Sequence, residues 1–561
     1  MKSLRFVCSF AIFMFAALTF AALTIMLAAA QSNPVVRANQ LKALPEAQTL
    51  PAAVAAQFAP AGHEPLRQFG KTLRYDSGGV GAESVAIADL NGDGKLDLIV
   101  ANFTQCWLCD NGGVSVLLGN GDGTFQPAVS YSSGGWGASS VAIADVNGDG
   151  KPDVVVTNWC LSTSTCAFGG GYSEGGVSVL LGNGDGTFQP AVSYDTGADS
   201  ARSVAIGNLN GDGKLDLVVA NLCQSVDQYD LCLPANTGGV SILLGNGDGT
   251  FQSPVIYSSG GYYADGVAMA DLKGDGVPDL VVANVCMSVD QYGHCNGDGV
   301  LSVLLGNGDG TFQPATGYIL GDADGIAIGD VNGDGIPDLV VAAVYVLLGN
   351  GDGTFQAPVY YNSGALFPAS VAIADMNGDG IPDLVVGDSF PCYDRCDLGV
   401  YVLLGRGDGS FYLYSSYPAG GAGTESVAIA DLNGDGKPDV VAANYYAKPQ
   451  PSRPGDGEVG VLLNTFIAKT VTHLKSSLNP SHVNLAVTFA ATITSGSAVP
   501  NGEVVTFYNG ATEIGTGTTT SGVATLTTSF PTPGKYVIEA SYPGDLYHIT
   551  SSGTVKQRVK P

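Results

Sequence analysis

Histidine is nearly absent. Five occur in 561 residues, and His294 alone falls in the repetitive region that makes up most of the chain. That scarcity excludes a histidine-ligated metal centre built from the repeats, and it removes the commonest general base. No His-Glu-x-x-His zinc motif occurs. Basic residues are also few, 23 Lys+Arg against 51 Asp+Glu, for a formal net charge of −28. A nucleic-acid partner, which needs basic patches, is therefore excluded. After residue 30 no second apolar run is long enough to cross a bilayer.

The excess is in glycine, 79 residues, as a chain of tight turns requires. Much of it sits in a nine-residue acidic loop, first seen as Asp89-Leu90-Asn91-Gly92-Asp93-Gly94-Lys95-Leu96-Asp97. Six more copies begin at Asp145, Asn208, Asp271, Asp330, Asp375 and Asp431. Each lies between two short β-branched runs, such as Ser84-Val85-Ala86-Ile87-Ala88 and Leu98-Ile99-Val100-Ala101-Asn102, so each closes a β-hairpin.

The loop is a calcium loop by its donor chemistry. Calcium takes roughly six to eight hard oxygens in a flexible cage. The side chains at loop positions one, three, five and nine and the carbonyl of position seven offer them, as Asp89, Asn91, Asp93, Asp97 and Lys95. Equivalent sets are Asp145, Asn147, Asp149, Lys151, Asp153; Asp330, Asn332, Asp334, Ile336, Asp338; Asp375, Asn377, Asp379, Ile381, Asp383; and Asp431, Asn433, Asp435, Lys437, Asp439. Asn208, Asn210, Asp212, Lys214, Asp216 lacks one carboxylate and is expected to bind more weakly. Asp271, Asp275, Val277, Asp279 has Lys273 where a ligand oxygen belongs, so Lys273 swings out to water or that site stays empty. An EF-hand needs a Glu at loop position twelve and flanking helices. Val100, Val156, Val219, Val282, Val341, Val386 and Ala442 stand there instead. Twenty of the acidic residues belong to the seven loops, so bound ions offset much of the negative charge.

The copies are spaced 45 to 63 residues apart, a period of propeller blades and related arrays. Each unit adds a second hairpin, as in Gly113 to Tyr131, turned by Asn-Gly-Asp-Gly. Four short strands per unit make a propeller blade. These units resemble FG-GAP or VCBS repeats, the family of the integrin alpha head, over roughly residues 70 to 466. The resemblance implies an all-β fold, a seven-bladed β-propeller followed by an Ig-like β-sandwich, with structural Ca2+ on one face and variable loops on the other. Lys71 to Asp76 matches a fourth strand, and the seventh unit ends at Phe466 without its own second turn. The N-terminal strand is thus expected to complete the last blade and protect its edge. In the fifth unit Val340 to Val346 runs through with no loop, so a very tight turn is expected.

Residues 1–30 read as a secretory signal: a short basic start, the apolar run Phe6 to Ala30, then Ala28-Ala29-Ala30 before Gln31. An uncleaved signal anchor is the alternative. Residues 31–69 are an Ala/Pro/Gln-rich linker. Excluding Cys8, the cysteines fall as Cys106/Cys109, Cys160/Cys166, Cys223/Cys232, Cys286/Cys295 and Cys392/Cys396, each pair within one variable loop. An even count and export argue for five local disulfides. Residues 467–561 alternate apolar and polar positions, with turns at Asn509-Gly510 and Pro533-Gly534. They resemble bacterial Ig-like domains, with Tyr542-Pro543-Gly544-Asp545 near the end.

The expected role is binding: a secreted or cell-surface adhesion module for a glycan or protein partner, with no membrane insertion after signal cleavage. Trp107, Trp136 and Trp159 are expected to converge on the variable-loop face with Phe103, Phe168, Tyr172, Phe390 and Tyr393. Asp227, Tyr229, Asp290 and Tyr292 recur in two matching loops and are candidate ligand contacts; loops packing on their own aromatics, or recent duplication, explain the same residues. Arg406-Gly407-Asp408 is a chance variant of the Asn-Gly-Asp turn. No catalytic residue is assigned. The rival functions are a polysaccharide lyase or glycosidase, which needs paired carboxylates in a cleft, and a purely structural envelope protein.

Overall fold

The computed structural model describes residues 68–105, 111–161, 174–225, 237–290, 295, 297–321, 323–389, 399–447, 456–495 and 499–561. Every regular element among these is a β-strand, and no helix among them is long and apolar enough to cross a membrane. The expected signal segment lies outside the described residues.

The first unit shows how the repeat folds. β1 (Leu73–Ala88), β2 (Asp97–Thr104), β3 (Gly113–Leu117) and β4 (Val129–Ser132) form an antiparallel meander. Partners across it include Val85 with Val100, Ile99 with Val116 and Ser115 with Ser130. β2 is buried on both faces over its first six residues, which is why Asp-Leu-Ile-Val-Ala reads as a continuous run rather than an alternation. The acidic loop joins β1 to β2. The Asn-Gly-Asp-Gly turn leads out of β3: the Asn120 N–H donates to the Thr124 carbonyl at 2.9 Å. Gly121 and Gly123 sit at φ 81° and 80°, a conformation only glycine holds without strain.

β5 (Trp136–Ala144), β6 (Asp153–Cys160), β7 (Glu174–Leu180) and β8 (Val192–Gly207) build the second unit, and β8 runs on as the first strand of the third. β1 is shared in the same way. Its later half belongs to the first unit, while Leu73 to Asp76 pair with the strand Asp456–Leu462, as in Leu73 with Val461. The Arg74 guanidinium, donating to the buried Glu458 carboxylate, ties the same two strands. The N-terminal strand therefore completes the last unit, as expected from the sequence. With the strands of the fourth to sixth units, seven four-stranded arrays are traced among the described residues. The fifth unit's tight turn is also present: the Val344 N–H donates to the Val341 carbonyl at 2.7 Å, with Val344 at φ 57°.

Neighbouring arrays are joined by one repeated aromatic clasp. A fourth-strand tyrosine packs edge-on against the turn phenylalanine of the next array: Tyr131 on Phe188, Tyr194 on Phe251, Tyr257 on Phe312, Tyr318 on Phe355 and Tyr361 on Phe411. Tyr75 on Phe125 carries the series across the chain's start, and Tyr417 on Phe69 completes it at 4.8 Å. The seventh unit has no turn phenylalanine, so Phe69 supplies one. The innermost strands meet in the same cyclic order. Each clasp contributes about 1 kcal/mol beyond the area it buries.

The C-terminal module is a two-sheet sandwich. One sheet has three strands (Thr470–Ser476, Val487–Ser495, Val523–Thr528) and the other five (Ser481–His482, Ser551–Lys560, Gly534–Tyr542, Val504–Asn509, Thr512–Thr518). Phe489, Phe507, Ile538 and Tyr542 fill the space between them. In the strand Val487–Ser495 burial alternates residue by residue, the period of a half-buried strand.

Candidate functional site

Two sets of side chains repeat around the arrays. The first is the acidic loop. In the loop at Asp145, the position-one carboxylate accepts from the N–H groups of Gly148 at 2.7 Å, Asp149 at 3.1 Å and Gly150 at 2.8 Å. Asp149 in turn accepts from the Lys151 N–H at 3.0 Å. The position-nine Asp153 is fully buried and clamps the loop to two strands: one oxygen accepts from Val146 and the other from Gly182. Burial holds the Asp97, Asp153, Asp216 and Asp338 carboxyls above the usual carboxylate range. It pushes Asp439 up to about 6 and Asp383 up to about 8. Charge accumulates here without an equal count of bases. The exposed pairs Lys95 with Asp93 and Lys151 with Asp149, both at 3.4 Å, relieve little of it.

Among the described residues, no group of three or more His, Cys, Asp or Glu forms a ready metal cage. The donors nonetheless suit a hard cation, on two observations. Asn208 Oδ1, at position one of the third loop, is buried with no hydrogen-bond partner. In the fourth loop Lys273 Nζ lies 3.0 Å from Asp275, 3.2 Å from Asp279 and 3.1 Å from the Gly306 carbonyl. The Lys273 ammonium is thus a stand-in ion between the position-five and position-nine carboxylates. Of the two expectations for this loop, the one in which Lys273 swings out to water does not hold, because its side chain is only 17% exposed. A buried carboxylate attracts the nearest cation, and here that cation is covalently attached. The hydrogen bond from Lys273 also holds Asp275 below the usual carboxylate range.

The second set was not foreseen. The innermost strands of six units carry a β-bulge at the residue six places before the acidic loop, for example between Ala82 and Ser84, Ala201 and Ser203, and Ala264 and Gly266, and in the fifth unit Asp324 stands just ahead of the strand Ile326–Gly329. A bulge re-aims its side chain. Glu83, Ser139, Arg202, Asp265, Asp324, Ala369 and Glu425 hold this position, and all seven line one cavity of about 440 Å³. Arg202 Nε donates to Asp265 at 2.8 Å and its guanidinium stacks 4.8 Å from the Trp159 ring. Burial, outweighing the attraction of Arg202, pushes the Glu83 carboxyl up to about 7. Burial, then Glu83 itself, raises Glu425 well above the carboxylate range. The sequence signal was present but unread: this is the one place where otherwise matching strands vary among acid, base, hydroxyl and methyl side chains.

Of the predicted aromatic face, Trp136 and Trp159 are described, and they come together. Their rings lie 6.1 Å apart, each 4.9 Å from Phe103. They stand within β5 and β6 rather than in loops, which corrects the expected placement. Both are half-buried, packed on each other and on Phe103. Asp290 lies near Tyr263, whose hydroxyl pKa it helps to raise after burial. Trp107, Phe168, Tyr172, Asp227, Tyr229, Tyr292, Phe390 and Tyr393 lie outside the described residues. So do Cys106, Cys109, Cys166, Cys232, Cys392 and Cys396. Cys286 and Cys295 form a disulfide, and Cys160 and Cys223 are disulfide-bonded.

These features define a class: an all-β repeat protein whose antiparallel arrays carry oxygen-rich hairpin loops, with an Ig-like module attached. The chain belongs to the FG-GAP-like repeat family, which matches residues 89–156, 166–219, 228–282, 290–341, 342–386 and 394–442. An FG-GAP repeat matches 423–462, and a bacterial Ig-like domain (group 3) matches 474–560. Integrin alpha-IIb of Mus musculus is 26% identical over 227 residues, which cover 37% of this chain and 20% of the integrin chain. Among solved structures, the extracellular domain of a putative one-component system from B. thetaiotaomicron aligns with TM-score 0.37 and 8% identity, covering 88% of this chain and 59% of that one. The V. cholerae biofilm matrix protein Bap1 aligns with TM-score 0.32 and 14% identity over 86% and 67%. The exotype rhamnogalacturonan lyase YesX aligns with TM-score 0.35 and 12% identity over 82% and 91%.

Proposed function

We propose that the seven arrays are the blades of one closed propeller whose acidic loops hold structural Ca2+. On this reading the protein is a secreted or surface-attached adhesion module for a glycan or protein partner. The observation that carries the proposal is Lys273: its ammonium bridges the position-five and position-nine carboxylates at 3.0 and 3.2 Å, whereas Lys95, Lys151 and Lys214 pair only with the position-five carboxylate from outside. Where no lysine stands, the position-one, -three, -five and -nine side chains, as Asp145, Asn147, Asp149 and Asp153, would hold the ion with the Lys151 carbonyl. When bound, the ion supplies the charge that those carboxylates lack. Calcium at ten times its dissociation constant stabilises one site by ~1.4 kcal/mol. Membership in the FG-GAP family and similarity to an integrin alpha chain support the adhesion role. The test is a glycan and protein array probed with the chain in calcium and again in chelator. Binding that needs calcium supports the proposal, and absence of any partner in either buffer counts against adhesion.

A second reading rests on the cavity between the innermost strands. A carboxyl pushed up to about 7 beside an arginine, as at Glu83 and Arg202, suits proton transfer to a bound sugar chain. Turnover of a polysaccharide that disappears in Glu83→Gln, with the melting curve retained, would establish an enzyme instead.

A further inference from the structure

The fourteen glycines at loop positions four and six are open to solvent with two exceptions. A Cβ added at Gly92, Gly94, Gly148, Gly150, Gly333 or Gly335 would meet nothing within 4 Å. A Cβ on Gly378, in the sixth loop, would run into the ring of Tyr547, and one on Gly436, in the seventh, would lie 2.9 Å from Leu546. Both intruders come from a single turn of the Ig-like module.

That turn is braced from within. Asp545 accepts from the Tyr542 hydroxyl at 2.6 Å and from the Tyr547 N–H at 2.8 Å, and it contacts the His548 ring at 2.8 Å. The Tyr-Pro-Gly-Asp motif of the sequence is therefore the base that presents Leu546 and Tyr547. The Tyr547 hydroxyl reaches the Gly436 carbonyl at 3.4 Å, and Lys437 Nζ lies 5.9 Å from the Tyr547 ring centre. Lys437 is buried, whereas the equivalent Lys95 is exposed. The tether is fastened to the same place: Asn464 Nδ2 donates at 2.8 Å to the carbonyl of Met376, the second residue of the sixth loop. The Tyr547 carbonyl accepts from the Ala468 N–H at 2.6 Å.

We propose that the Ig-like module is an ion-dependent clamp. Its Leu546–Tyr547 turn docks on the curled backbone of the loops beginning at Asp375 and Asp431, and docking and cation binding in those two loops are linked. This rests on the reading of the acidic loops as calcium sites. The contacts are made to Gly378 and Gly436, whose left-handed conformations at φ 74° and 78° exist only while the loop is curled. A cation that holds the curl thereby holds the docking surface. Without it, nothing bridges the oxygen atoms gathered in each loop and the glycine backbone is released. Linkage is reciprocal, so the docked turn must also tighten the ion in these two loops and in no others.

Three measurements on the full chain test this. Small-angle scattering in calcium and in chelator should show the module swing away when the ion is removed. The paired change Asp375→Asn with Asp431→Asn should release it even in calcium, while Asp89→Asn with Asp145→Asn should leave it docked. Calcium titration calorimetry of Leu546→Ala with Tyr547→Ala should show two sites weakened by about five-fold or more and the rest unchanged. A chain that binds no calcium would overturn the reading of the loops themselves. A chain that binds calcium normally, with scattering indifferent to the ion and all sites indifferent to Tyr547, would overturn the clamp alone.

Discussion

The second and fourth acidic loops share one backbone and differ in what neutralises their carboxylates. At Asp145 the carboxylates face only an exposed lysine, at 3.4 Å from Asp149. At Asp271 the Lys273 ammonium lies within 3.2 Å of two of them. The cavity between the innermost strands offers a third solution, in which burial pushes the Glu83 carboxyl up to about 7. On the proposed calcium reading, one repeated loop meets the same electrostatic problem with a bound ion at Asp145 and with a tethered ammonium at Asp271.

The largest effect should come from removing the free cations. Chelation is expected to lower stability by several sites' worth, on the order of 10 kcal/mol in total. Thermal melting with and without chelator measures it, and an unchanged midpoint would remove the distinction between the two loops. Next, Asp279→Asn and Asp153→Asn break equivalent positions. Asp279→Asn should cost about 3 kcal/mol in either buffer, because it strips a buried ion pair from Lys273. Asp153→Asn should cost more in calcium than in chelator, so denaturant melts that show equal costs in both buffers would contradict a tethered cation.

Glu83→Gln probes the proton. The folded-state pKa of Glu83 is about 7, above its ordinary value of 4.5. The folded chain therefore holds a proton that the unfolded chain releases between those values. Its contribution is complete below pH ~4.5 and is lost as the pH rises through ~7. The glutamine variant should match the parent at low pH and exceed it by about 3 kcal/mol near pH 8. Melts across that range that stay parallel would show Glu83 ionised throughout. The smallest effect is expected from Lys273→Asn, which converts the fourth loop to the others' pattern. It should add one calcium site, worth ~1.4 kcal/mol at ten times its dissociation constant, and calorimetry with unchanged stoichiometry would show that the lysine was not the obstacle.

The repeat, its strand order and its closing N-terminal strand were legible because each is written locally. β-branched runs, glycine turns and seven registered copies carry that information, and Val340 to Val346 announced its own tight turn. The Ig-like module was legible for the same reason, from its period-two alternation. The cavity residues were not. Glu83, Arg202, Asp265 and Glu425 are separated by long stretches of chain, and each looks like an ordinary solvent-facing charge beside its strand. The bulge that turns them inward has no local spelling. The orientation of Lys273 was left open for a similar reason, since its partner carbonyl belongs to Gly306, 33 residues away.

By itself, then, the amino-acid order determined which segments become strands, which turns collect oxygen atoms and where one module ends and another begins. These depend on neighbours within a few residues. Tertiary structure alone decided which charges face each other across the cavity, that Phe69 supplies the clasp the last unit lacks, and that Tyr547 covers two loops more than a hundred residues earlier. Such contacts arise only when distant strands are brought together, because the energy of a charge or a ring depends on what surrounds it in space.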